Sequence, residues 1–152
     1  MVDRVNNYKI SQEGINLIKK WEGSSPVPYI CPAGYKTIGI GHVIRTNESY
    51  QRPLTSKEIE ELFRKDILIF EGAVNNYVKV PIKQNQFDAL VSFVFNVGIN
   101  AFRNSTMLKL INSKKLKEAG EQFTRWVYAN GKVLEGLRRR REDEKQLFLR
   151  GL

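Results

Sequence analysis

Residues Lys19–Ile44 read KKWEGSSPVPYICPAGYKTIGIGHVI. The stretch opens on the end of a helical repeat, because Ile15, Ile18 and Trp21 recur at helical spacing. Ser11 stands where an N-cap belongs, and Ile10 and Ile15 are placed as a hydrophobic staple, so a helix is predicted over about Gln12–Trp21. Glu22 and Gly23 fall where that helix stops, which sets a carboxylate at a helix end facing a loop. Pro26 and Pro28 then exclude helix. The mixture of β-branched and aromatic residues with glycine turns predicts a small antiparallel sheet from about Tyr29 to Arg45, turning near Pro32–Gly34. Gly39 and Gly41 inside it predict a bulge or the close approach of another backbone.

Beyond this stretch the pattern is helical. In LTSKEI, Thr55 and Glu58 form a capping box and Leu54 and Ile59 its staple. Nothing stops that helix before Pro81, so it is predicted over about Ser56–Tyr77. QNQFDALVSFVFNVG, residues 84–98, is apolar nearly all round and ends on a glycine, the pattern of a central buried helix. Shorter helices are predicted over Thr106–Asn112, capped by Ser105, and over Leu116–Val127. Asn130-Gly131 marks a turn, and a last helix covers about Gly136–Leu149. The class is α+β, mainly helical, with the β segments confined to the first third.

Composition bounds the function. A chain of 152 residues fits one domain and needs no disulfide or metal to fold. Its single cysteine, Cys31, excludes an intramolecular disulfide and leaves a buried apolar residue, an intermolecular link or a functional thiol. One histidine and one cysteine cannot supply the usual metal ligand set, so no metal site is expected. The net charge of +9 attracts polyanions without choosing among them. The chain lacks the recognised nucleic-acid motifs. Its tail, RRRREDEKQLFLR, reads as a solvated amphipathic helix. Arg138–Glu142, Arg139–Asp143 and Arg140–Glu144 form i,i+4 pairs, and Leu137, Leu147 and Phe148 are left for the core. MVDRVNNYKISQ has no apolar signal region, and no apolar run reaches spanning length, so neither a signal peptide nor a transmembrane segment is expected.

Glu22, eight residues, Cys31, five residues, Thr37, and then IGIGH ending at His42 resembles the motif of the phage-type lysozymes, glycoside hydrolase family 24, also called endolysins or muramidases. Many members carry aspartate at the position of Cys31. LTSKEIEELFRKD, QFDALVSFVFNVG, FRNSTML and RWVYANGKVLEGLRRRR extend the likeness over nearly the whole chain. The resemblance implies a single lysozyme-like catalytic domain over 1–152. A small N-terminal β-lobe (about 22–54) would be joined by an interlobe helix (about 56–77) to a helical lobe (about 82–152, with the N-terminal helix 12–21), leaving a cleft between the lobes.

The implied reaction is cleavage of the β-1,4 bond between N-acetylmuramic acid and N-acetylglucosamine in peptidoglycan. Protonating the alkoxide leaving group calls for a carboxylic acid in an apolar or enclosed setting, and Glu22 is its candidate. A second group must hold or activate a water, or attack the anomeric carbon. By resemblance that group is Cys31, with Thr37 completing the triad. Whether the thiol acts as base, nucleophile or water-positioner stays open. His42 is implied to be structural, paired with Asp66. Val43, Phe95 and Ser105 match cleft-lining, substrate-binding positions. No cofactor is needed. The family further implies a monomer made in the host cytoplasm and released by a holin to act on periplasmic peptidoglycan, and the surplus positive charge is read as attraction to the anionic wall and outer membrane. The alternatives are a lytic transglycosylase, which forms 1,6-anhydro ends, and a non-catalytic cationic protein that disrupts wall or membrane.

Overall fold

The computed structural model describes residues 4–152. Helix α1 covers Gln12–Glu22, one residue beyond the expected end, and stops at Gly23, whose φ of 66° suits a residue without a Cβ. Ser11 caps it, its side chain accepting from the Gly14 N–H. Both the backbone and the side chain of Ser11 also bond Asp88, which lies on the central helix α3 (Gln84–Val97). The cap therefore fixes where the helix begins and also ties it to the core.

The sheet contains β1 (Ser25–Ile30), β2 (Lys36–Gly39) and β3 (His42–Val43), antiparallel in the order β1-β2-β3. β1 starts earlier than expected and takes in both prolines. It can do so because it is an edge strand, where a missing N–H breaks no ladder. The pairing shifts between Ser25↔Gly39 and Tyr29↔Thr37, so the irregularity lies in β1 around Pro26 and Pro28. Gly39 and Gly41, expected to mark a bulge, instead form the tight link between β2 and β3, with φ of 64° and 67°.

Helix α2 runs over Ser56–Tyr77, with the Thr55–Glu58 capping box formed. Helix α3 ends at Gly98 and is buried along nearly its whole length. Its Phe93 stacks edge-on against Phe123 and Trp126, and Phe123 packs on Phe148. A short helix α4 (Ile99–Arg103), not foreseen, follows directly. Helix α5 spans Thr106–Asn112 under the Ser105 cap. Helix α6 stops at Glu121 rather than continuing to Val127, giving way to a 3-10 turn at Phe123–Arg125. The aromatic packing of Phe123 and Trp126 on Phe93 accounts for that early stop, because it draws the chain in before another α turn forms.

Strands β4 (Tyr128–Ala129) and β5 (Lys132–Val133) make a hairpin at Asn130-Gly131, where φ is 51° and 76°. Two positive-φ residues of this kind define the tight hairpin turn, so the β structure is not confined to the first third. Helix α7 covers Glu135–Leu149 and lies along α3.

Candidate active site

The last turn of α1 is fastened to α7. Trp21 Nε1 donates to Asp143 Oδ2 (3.0 Å), and Lys20 Nζ bonds the same oxygen (2.8 Å). Glu22 Oε2 is held by the Arg140 guanidinium. Residues three apart on α7 thus secure three consecutive residues at the end of α1.

The other carboxylate oxygen faces the sheet. A Cβ built on Gly41 would lie 2.6 Å from Glu22 Oε1 and 2.9 Å from the Phe95 ring. The glycine of the IGIGH string is required by the approach of these two side chains, rather than by another backbone as expected. Phe95 is part-buried and stacks on Phe63 and Phe70 of α2.

Cross-strand partners share a face of a sheet. The register Tyr29↔Thr37↔Val43 therefore puts these three side chains on one face, while Ile38↔His42 occupies the other. Cys31 follows in the same alternation as Tyr29. Its N–H donates to Tyr35 O (2.9 Å), and its own carbonyl accepts from Gly34 N–H (2.8 Å), closing the turn. Thr37 Oγ1 also donates to Tyr35 O (2.9 Å). One carbonyl oxygen thus draws Cys31 and Thr37 together. With its proton engaged there, the Thr37 hydroxyl presents lone pairs only, so it is an acceptor for a water proton. Thr37 is buried and Cys31 part-buried, while Val43 is exposed.

On the opposite face, His42 Nδ1 bonds Asp66 Oδ2 (2.8 Å) as expected. Its Nε2 lies 3.0 Å from Glu48 Oε2, a second carboxylate the sequence did not reveal. The hydrogen bond to Asp66, opposed by burial and reinforced by the charges of Asp66 and Glu48, raises the imidazole above its ordinary range. Tyr50 donates to Glu48 (2.8 Å), and burial together with that carboxylate pushes its phenol up to about 12. Ser105 lies elsewhere, buried at the head of α5. Its hydroxyl donates to Phe102 O (2.7 Å) and accepts from Leu108 N–H (3.0 Å), so both functions are committed to the cap.

The basic tail departs most from expectation. Of the three i,i+4 pairs, only Arg140–Glu144 forms, and it is buried rather than solvated. Arg138 and Arg139 turn back to Glu135, and Asp143 serves α1. Arg140 also donates to Ser92 O (3.0 Å), and Ser92 Oγ donates to Glu144 (2.6 Å). Arg141 bonds Glu144 and Asn96 and donates to Trp126 O (2.9 Å). Two buried guanidinium groups thus face the carboxyl groups of Glu144 and Glu22. Sequence reasoning missed Arg140 because helical spacing pairs it with Glu144 and says nothing of a partner over a hundred residues away. A recess of about 370 Å³ opens between the end of α1 and the start of α2, lined by Gly23, Ser24, Ile40 and Ile59 among others, and includes none of the expected reacting groups.

A profile of the phage lysozyme family matches residues 19–144. The chain is 43% identical over 145 residues to an endolysin of Bacillus phage PZA, an alignment covering 94% of this chain and 56% of that protein. It therefore spans little more than half the length of that relative. It is 38% identical over 144 residues to an endolysin of Salmonella phage P22, covering 93% of this chain and 98% of the other. Among solved structures, the muramidase domain of SpmX from Asticaccaulis excentricus superposes with a TM-score of 0.83 at 41% identity, covering 94% of this chain and 99% of that one. A fold built on α3 and α7, the fixed spacing from Glu22 to the IGIGH string, and a profile match over most of the residues make this chain a member of the phage lysozyme family.

Proposed function

We propose that the protein is a muramidase that hydrolyses the β-1,4 bond between N-acetylmuramic acid and N-acetylglucosamine, with Glu22 as general acid. The observation that carries the reading is the two-sided hold on Glu22. Arg140 anchors Oε2, and Oε1 is turned to Gly41 at the edge of the sheet that bears Cys31 and Thr37. Oε1 carries the proton to the leaving oxygen. The carboxylate formed as the proton departs is then stabilised by the guanidinium already in place. Across the reacting sugar, Thr37 accepts a hydrogen bond from a water whose other proton passes to the Cys31 thiolate as the water oxygen bonds the anomeric carbon and the glycosidic C–O bond breaks; alternatively the thiolate bonds that carbon and water later displaces it.

The same reading takes residues 22–54 as one lobe and 82–152 with 12–21 as the other, joined by α2. The glycan lies between them against Val43 and Phe95. Ser105 serves the wall of that space through its backbone position rather than through a free hydroxyl. Endolysins among the relatives support peptidoglycan as substrate. Family membership supports a monomer, made in the host cytoplasm and released by a holin, and the net charge of +9 supports attraction to anionic wall and outer-membrane surfaces.

The test is digestion of purified peptidoglycan by the wild type and by Glu22→Gln. Hydrolysis gives reducing ends that have gained water, and the variant is expected to lose about 10²–10⁴-fold in rate. Undiminished lysis by the variant contradicts the reading.

A further inference from the structure

Tyr29 is the one group on the reacting face of the sheet to which the motif gives no task. It is the direct cross-strand partner of Thr37, and two residues before Cys31 in the same alternation. The Tyr29 hydroxyl, like those of Tyr35, Tyr77 and Tyr128 and unlike those of Tyr8 and Tyr50, finds no acceptor among the described residues; of these four only Tyr29 lies across the strand from Thr37. Its ring is part-buried, so the phenol is held by its strand while its polar tip is left for something outside the protein. Burial, then the negative charges of Glu22 and of Cys31, raise the phenol above the ordinary tyrosine range. The hydroxyl therefore stays a hydrogen-bond donor through the neutral range, within electrostatic reach of both groups.

An acid and a water-holding group in a glycosidase stand on opposite sides of the sugar whose bond breaks. A donor on the same face of the sheet as Thr37, directly across the strand from it, is turned to the side on which that sugar lies. We propose that the Tyr29 hydroxyl donates a hydrogen bond to an exocyclic oxygen of the reacting sugar, holding the ring between Glu22 and Cys31 as it flattens toward the transition state. This rests on the reading of Glu22 as acid and adds a fourth catalytic residue to it. A hydrogen bond that strengthens as charge develops on the ring acts on kcat more than on KM.

Tyr29→Phe removes only the oxygen, from an edge strand and without orphaning a protein partner, so its thermal midpoint is expected to match the wild type. On a soluble peptidoglycan fragment its kcat is expected to fall about tenfold to a hundredfold, with KM moving less than about threefold. In parallel, ¹³C-labelled tyrosine NMR follows the phenol itself. Glu22→Gln and Cys31→Ala are each expected to move the Tyr29 titration toward the ordinary tyrosine value. Wild-type kcat in Tyr29→Phe, or a rise in KM alone, overturns the proposal. So does a Tyr29 titration that ignores both substitutions. If Glu22→Gln itself retains activity, the underlying reading of the acid falls instead, and the two failures are told apart.

Discussion

Glu22 is constrained by its neighbours from two sides, and each constraint makes a separate expectation. On the sheet side, Gly41 leaves no room for a methyl group and sits at a φ of 67°. Gly41→Ala pays a left-handed backbone penalty of about 1–2 kcal/mol and must also push Glu22 or Phe95 aside. It is expected to lower the thermal midpoint and to cut lysis at least about tenfold, read by calorimetry and by turbidity of a wall suspension. His42 gives a second expectation at this scale. Its folded pKa lies above the unfolded value of 6.5. The stabilisation it adds is therefore complete below that value and is lost as pH rises through the raised one. Denaturant unfolding of the wild type should show this decline on the alkaline side. Asp66→Asn should flatten it and cost about 2 kcal/mol at pH 6.

At the scale of elements, α7 does two jobs that its sequence presents as one. Its exposed arginines, Arg138 and Arg139, share Glu135, an arrangement that holds that carboxyl down near 2 yet remains solvent-screened and contributes little. The buried pair, Arg140 and Arg141, is the opposite case. Arg140→Met strands Glu22 without its cation and leaves Glu144 to Arg141 alone, and is expected to destabilise by about 3–5 kcal/mol. Arg139→Ala should stay within about 0.5 kcal/mol, so urea unfolding of the two variants side by side separates the roles. Four consecutive arginines look alike in sequence. Which of them turns inward depends on where α3 and the end of α1 lie, and only the assembled fold supplies that. Elements specified by local chemistry were legible: the Thr55 capping box and the Ser105 cap gave α2 and α5 their boundaries. Elements set by packing were not: α6 ends early because Phe123 and Trp126 are drawn onto Phe93, and β1 begins early because an edge strand tolerates proline.

At the scale of the whole molecule, the fixed spacings from Glu22 to His42 carried the family, and the hydrophobic run of 84–98 carried the core. Absent from the sequence were the long-range polar ties that fasten one part to another: Glu22 to Arg140 and Trp21 to Asp143. Such ties join residues whose separation follows no helical or strand period, so no pattern announces them. The unbalanced charge belongs to this scale as well. With a Debye length of about 8 Å at physiological ionic strength, attraction between a +9 protein and an anionic wall is largely screened at a few hundred millimolar salt. Lysis of intact walls should therefore decline with salt, while hydrolysis of a small neutral glycan fragment should not.

The central claim is that Glu22 protonates a glycosidic oxygen while water closes the reaction from the side of Cys31 and Thr37. Mass spectrometry of the muropeptides released from one purified peptidoglycan tests it most directly. The account gives reducing ends that have each gained one water from the wild type, and no release above background from Glu22→Gln. Products ending in 1,6-anhydro sugars, or equal release by the variant, would contradict it.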